Sequence, residues 1–185
     1  MFKLLKQKYL KDTSIYQLYR YYKYKYKFFP SFGATGEDVL INKIFRNMEN
    51  GFYVDVGALH PINGSLTYNL YKKGWSGVNI DMLNENLKFF KYFRKRDINF
   101  NVAISSSSGF TKAFIFETGS GLNTLNKKWA HHWSKKINKP FLTKKIKKIT
   151  LNEVLNDNNV KKDFEFLNID VEGHEVDVLK GINFK

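Results

Sequence analysis

Hydrophobic and polar positions divide this chain into segments whose period changes repeatedly. Phe52-Tyr-Val-Asp-Val56 is a run of β-formers broken by one carboxylate, Asp55, and Gly57 follows at once. This predicts a buried strand, a glycine turn and a polar loop, then a short amphipathic helix over residues 66–73 with Gly74 at its C-cap. Residues 75–81 read as a second strand ending in Asp81. Residues 83–96 follow a helical period that turns Leu87, Phe90 and Phe93 inward and Lys and Arg outward. Residues 99–104 alternate as a third strand, and after a turn at 105–109 residues 110–117 pair with it as a hairpin. Residues 119–124 read as a flexible loop. The basic stretch that follows, to Lys148, has no clear period and suits a lid or an acceptor surface. Thr150 and Glu153 form a capping box for a helix at 151–155. Residues 166–169 form a buried strand ending at Asp170, and Val176, Val178 and Leu179 begin the next helix. Upstream, residues 37–48 form an amphipathic helix laid against the sheet. Its broad apolar face comprises Val39, Leu40, Ile41, Ile44, Phe45 and Met48, and Glu37 and Asp38 suit its first turn.

Strands alternating with helices define an α/β fold with a parallel sheet. A length of 185 residues fits one domain with a sizeable core. The reading divides it into a basic, aromatic helical extension over residues 1–32 and the domain proper over 33–185. No apolar run approaches the roughly 18 residues of a membrane span, and no apolar core follows the basic N-terminus as in a signal peptide. The expectation is a cytoplasmic protein, peripheral at the inner membrane surface if its basic patches engage lipid. The absence of cysteine excludes disulfides and thiolate metal sites.

The net charge of +14 is concentrated. Residues 1–30 hold eight Lys and Arg against Asp12, and residues 127–148 hold nine Lys with no acid. Such patches favour an anionic membrane or glycolipid surface, a phosphorylated glycan or nucleic acid; a general preference for Lys and Asn in the sequence explains them equally well. In residues 1–30 the lysines interleave with Tyr and Phe up to Pro30, which suits a surface anchor, single-stranded nucleic acid or a helix packed on the domain.

The candidate chemistry gathers at the ends of strands. Asp55 and Asp81 stand one strand–helix–strand unit apart with Gly57 between them, the pattern of a site for an adenosine-bearing ligand. Asp81 is placed to hold a ribose diol, and Gly57 to let a ligand approach the backbone. The loop from Gly57 to Gly64 has neither Gly-x-Gly-x-x-Gly nor Gly-Lys-Ser/Thr, so it does not cradle a pyrophosphate. A carboxylate there suits a cation. S-adenosylmethionine, with its sulfonium and ammonium and no phosphate, is the ligand these residues favour. Ser65 and Ala103 are also placed in the candidate cofactor set. Asp170, Glu172 and His174 crowd the end of the last strand, where His174 is placed to take a proton from an attacking hydroxyl, its proton affinity raised by the neighbouring acids. The same residues also read as helix caps around a structural histidine. A divalent metal on Asp170, Glu172 and His174 stays open, whereas His131 and His132 lack acidic neighbours at ligand spacing.

Several motifs resemble the FkbM-type methyltransferases in order and spacing: Gly36-Glu37-Asp38, Tyr53-Val-Asp-Val-Gly-Ala58 with Pro61 and Ser65-x-Thr67, Gly74-Trp75-x-Gly77 before Asn79-Ile-Asp81, and Leu167-x-Ile-Asp-Val-Glu-Gly-His-Glu175 with Leu179-Lys-Gly181. The resemblance covers residues 33–183. It implies a Rossmann-like class I methyltransferase fold, a three-layer sandwich, and usually O-methylation of a hydroxyl on a sugar, polysaccharide or natural product. By position, Asp55, Gly57 and Ala58 would line the cofactor loop, Asp81 would hold the ribose, and Asp170 would lie near the reactive methyl. Two positions depart from the family's commoner Glu-Pro and Ser-Asn-Thr: Asp81-Met82 and Ser65-Leu66-Thr67. The class normally runs on through a further helix and three strands, so the sheet is expected to stop after its fourth core strand. Either the chain is a truncated form, or a partner or second copy covers the free edge. The alternative is a degenerate methyltransferase-like scaffold in glycan assembly. A nucleic-acid methyltransferase is disfavoured, since Asp170-Val-Glu-Gly stands where Asn/Asp-Pro-Pro-Tyr/Phe would be needed.

Overall fold

The computed structural model describes residues 31–157, 160, 161 and 163–183, with Thr13, Ile15, Tyr16, Leu18 and Tyr19. Most of the expected N-terminal basic helix lies outside the described residues. Four parallel strands form the main sheet in the order β3-β2-β1-β7: β1 is Phe52–Val56, β2 Ser76–Asp81, β3 Ile98–Asn101 and β7 Phe166–Ile169. A second sheet has the order β4-β6-β5, with β4 at Ala103–Ile104, β5 at Gly109–Ile115 and β6 at Leu142–Ile149.

Strand alternation builds the layers. On one face of the main sheet Phe52, Val54, Val56, Val78 and Ile80 pack against Leu151 and Val154 of helix α6 (Leu151–Leu155) and Val178 of α7 (Glu175–Lys180). On the other face Tyr53 and Trp75 pack with Leu70 and Tyr71 of α2 (Tyr68–Lys72) and Ile41 of α1 (Glu37–Ile44). Helices therefore cover both faces of a parallel sheet, the expected three-layer α/β sandwich. The capping box at Thr150 and Glu153 is present.

Four expectations are corrected. The helix expected over 83–96 is two short turns, α3 at Asn84–Leu87 and α4 at Phe90–Phe93. Arg94, expected outward, is fully buried. The third strand divides at Val102 between the two sheets, and β5 pairs antiparallel with β6 instead of forming a hairpin with it. The basic stretch is ordered as helix α5 (Lys127–Ile137) followed by β6. Asn126 caps α5, its side chain accepting from the Lys128 and Trp129 N–H groups. On α1 only part of the broad apolar face is covered, for Leu40 and Ile44 are exposed. No helix among the described residues is long and apolar enough to cross a membrane.

Candidate functional site

Between β1 and β7 the strand order reverses, which opens a crevice beyond the carboxyl ends of the strands. Gly57 shapes that crevice. Its φ of +88° is in the left-handed region, and its N–H donates to the Ile80 carbonyl. A Cβ on Gly57 would come within 1.9 Å of the Asp170 carbonyl oxygen. The space left by the missing side chain is therefore taken by the neighbouring strand, where the sequence suggested an approaching ligand.

Val56, Ile80, Val102, Ala103 and Ile104 give the cleft an apolar floor. Its polar lining is Asp81, Asn86, Ser120, Asn123, Thr124 and, on the β7 side, Asp170, Glu172 and His174. Among the described residues no Lys or Arg lines it. Of the residues singled out in sequence, Gly57, Asp81, Ala103, Asp170, Glu172 and His174 share this cleft, whereas Asp55, Ala58 and Ser65 are buried behind it. Asp55 accepts from the Thr67 hydroxyl at 2.7 Å and the Asn168 amide at 2.9 Å, so it fastens β1 to β7 and to the start of α2. Burial raises its pKa. Ser65 reaches the same Thr67 hydroxyl.

Asp81 sits at the cleft wall with one oxygen accepting from Leu83 N–H and Asn86 and the other from Leu59 N–H. A carboxylate has about four lone-pair sites, so three donors leave room for one hydroxyl where the sequence suggested two. Burial pushes its pKa up to about 6 despite those donors. Asp170 is also raised, first by desolvation and then by the charges of Glu175, Asp55 and Glu37.

The second sheet's connections clamp the β7 turn. Glu172 has a left-handed φ of +56°, a strained position for a side chain-bearing residue. The Thr124 hydroxyl donates to its carbonyl, and Trp129 Nε1 donates to its carboxylate at 2.9 Å. Asn126 donates to the carbonyl of Gly173. His174 Nε2 lies 3.1 Å from the Ser105 hydroxyl, and Nδ1 lies 3.5 Å from Asp177. Asp177 favours the Nδ1–H tautomer, leaving Nε2 as the acceptor. Contrary to the sequence expectation, the His174 pKa is lowered, because desolvation outweighs Asp177 and Glu175. No group of three or more His, Asp or Glu among the described residues could hold a metal ion.

A family model described as the methyltransferase FkbM domain matches residues 55–185. The chain belongs to the FkbM methyltransferase family. No curated protein and no solved structure matches it.

The FkbM assignment makes the chain a methyltransferase and agrees with its mostly parallel sheet. Within this FkbM domain sequence reasoning missed Asn86, Ser105, Asn123 and Thr124. Asn86 follows Asp81 closely enough to have been weighed as its partner. The others come from segments that read as turns or loops; the folded chain brings Asn123 and Thr124 to the cleft and sets Ser105 against His174.

Proposed function

We propose that this FkbM domain is an S-adenosylmethionine-dependent O-methyltransferase acting on a hydroxyl of a sugar, surface polysaccharide or related natural product. The observation that carries this reading is the charge of the cleft: among the described residues three carboxylates line it and no Lys or Arg does. A pyrophosphate would be repelled there, and a sulfonium with an α-ammonium would be attracted. The residues fit the cofactor: Val102, Ala103 and Ile104 offer an apolar surface to a purine, and Asp81 keeps acceptor capacity for one ribose hydroxyl. Asp55 acts by holding the loop and by its field. The cofactor would supply an electrophilic methyl on sulfur. His174, neutral at pH 7, would take the acceptor hydroxyl's proton at Nε2 while Asp177 holds the other ring nitrogen. Trp129, exposed beside Glu172, offers an aromatic face of the kind that packs against a sugar ring.

Two measurements test this. Titration with S-adenosylhomocysteine should give micromolar affinity at pH 7 and binding about tenfold weaker at pH 5. The sign follows from Asp81: its pKa is about 6, the ionised carboxylate is much the stronger acceptor for a ribose hydroxyl, and acid therefore competes with the ligand. Asp81→Asn should flatten that dependence; equal affinity at both pH values in the unmodified chain would sink the ribose assignment. With a glycan acceptor, His174→Ala should lower kcat about a hundredfold and leave S-adenosylhomocysteine affinity within about twofold. Weakened affinity with an unchanged kcat would remove His174 from the proton transfer.

A further inference from the structure

The β5–β6 ribbon has two unlike faces. Inward, Ala113 and Ile146 are buried against Ala103, which lines the cleft. The register pairs Phe110 with Lys147, Lys112 with Lys145 and Phe114 with Thr143, placing these six side chains on the opposite face. Phe114 lies under Phe141 and Ala130 at one end. The remainder of the face is open: Phe110 is 66% exposed, and Lys112, Thr143, Lys145 and Lys147 are exposed. Lys145 Nζ lies 4.8 Å from the Phe110 ring centre. None of the six positions is acidic. The nearby Glu153 is already held by Ser108 and Thr150.

We propose that this outer face docks the protein onto a bilayer containing anionic phospholipid. Phe110 would enter the headgroup–acyl boundary, and the three lysines around it would sit at phosphate depth on stems long enough to follow the surface. Each lysine gains from the negative surface potential, and their sum falls away with salt. The inward face is fixed by the buried pair Ala113 and Ile146. A single-stranded nucleic acid suits the outer face less well. It wants successive rings along a groove and gains from the planar fork of Arg, whereas the described residues of this face offer one exposed ring and lysine alone. The binding itself does not depend on the methyl-transfer reading.

The test is flotation of the full chain with phosphatidylcholine vesicles, with and without phosphatidylglycerol, comparing it with Lys112→Gln/Lys145→Gln/Lys147→Gln and with Phe110→Ser. All four residues are exposed, so both variants should melt with the unmodified chain. The unmodified chain should float with the anionic vesicles alone, the triple variant should lose at least about tenfold in partition, and Phe110→Ser should lose severalfold. No binding by the unmodified chain would overturn the proposal. So would undiminished binding by the triple variant, which would place attraction on the N-terminal lysines. If Phe110→Ser binds vesicles normally and an oligonucleotide competes through the same lysines, the face is a polyanion site and the bilayer is the wrong occupant.

Discussion

Gly57→Ala is expected to cost about 4 kcal/mol or more in unfolding free energy, from left-handed strain, forced overpacking and the loss of strand-end hydrogen bonds. The added methyl carbon would overlap the Asp170 carbonyl at 1.9 Å, and a backbone oxygen, unlike a flexible side chain, has nowhere to move without parting β1 from β7. The bonds at risk are Gly57 N–H to Ile80 and Asp170 N–H to Val56, both 2.9 Å. Gly64→Ala is the control. Its φ is +80°, but no described residue lies within 4 Å of its Cβ direction, so it should cost only the backbone term, about 1 kcal/mol. Urea titration of both variants measures the difference. Equal losses would show that the contact with Asp170 is not what requires glycine. Where Gly57→Ala folds, displacement of Asp170 should also disturb Glu172 and His174, which follow it directly in the turn.

The strands that build the cleft were legible because each is a short apolar run ended by an acid or a glycine. Phe52–Val56 was read with its observed bounds, and the strand ending at Asp81 within one residue. Those signals are local. The second sheet was not legible, because β5 finds its partner beyond α5 and not in the preceding strand. Lys144, Lys145, Lys147 and Lys148 also hide the β6 pattern, since long cationic stems satisfy exposed strand positions without the usual alternation. Misreading β6 as lid had a consequence: Thr124, Asn126 and Trp129, which hold the Glu172–Gly173 turn, looked like parts of a flexible connection. The sequence reads Asp55 and Ser65 as touching ligand, and in the fold both are engaged by Thr67 behind the cleft. Burial decides that distinction, and burial is set by contacts from residues far along the chain.

Arg94 is the case in which local pattern misled most, and it supports the second large prediction. Beside Lys91, Lys95 and Arg96 it reads as another solvated cation. Instead Nε pairs with Asp97 at 3.0 Å, both side chains fully buried, and Nη2 donates to the Thr67 hydroxyl that in turn donates to Asp55. The rings of Tyr53, Tyr71 and Phe90 stand 5.1 to 5.7 Å from its guanidinium carbon. Asp97 also receives Tyr53 OH, Gly77 N–H and Asn79, so the pair ties β1, β2 and the approach to β3 together. Arg94→Ala leaves buried carboxylates without their cation and should destabilise the fold by about 3–5 kcal/mol. Arg94→Lys keeps the charge without the fork that reaches Asp97 and Thr67 together, and should fall between the two. Chemical denaturation gives the ranking, and a loss under about 1 kcal/mol for Arg94→Ala would show that water satisfies Asp97 in its place. Arg94 Nη1 itself is buried without a hydrogen-bond acceptor among the described residues. That cost is tolerable only because the rest of the guanidinium is so fully engaged. Removing Arg94 should also loosen Thr67 and Asp55, so the variant should lose cofactor affinity even at temperatures where it remains folded.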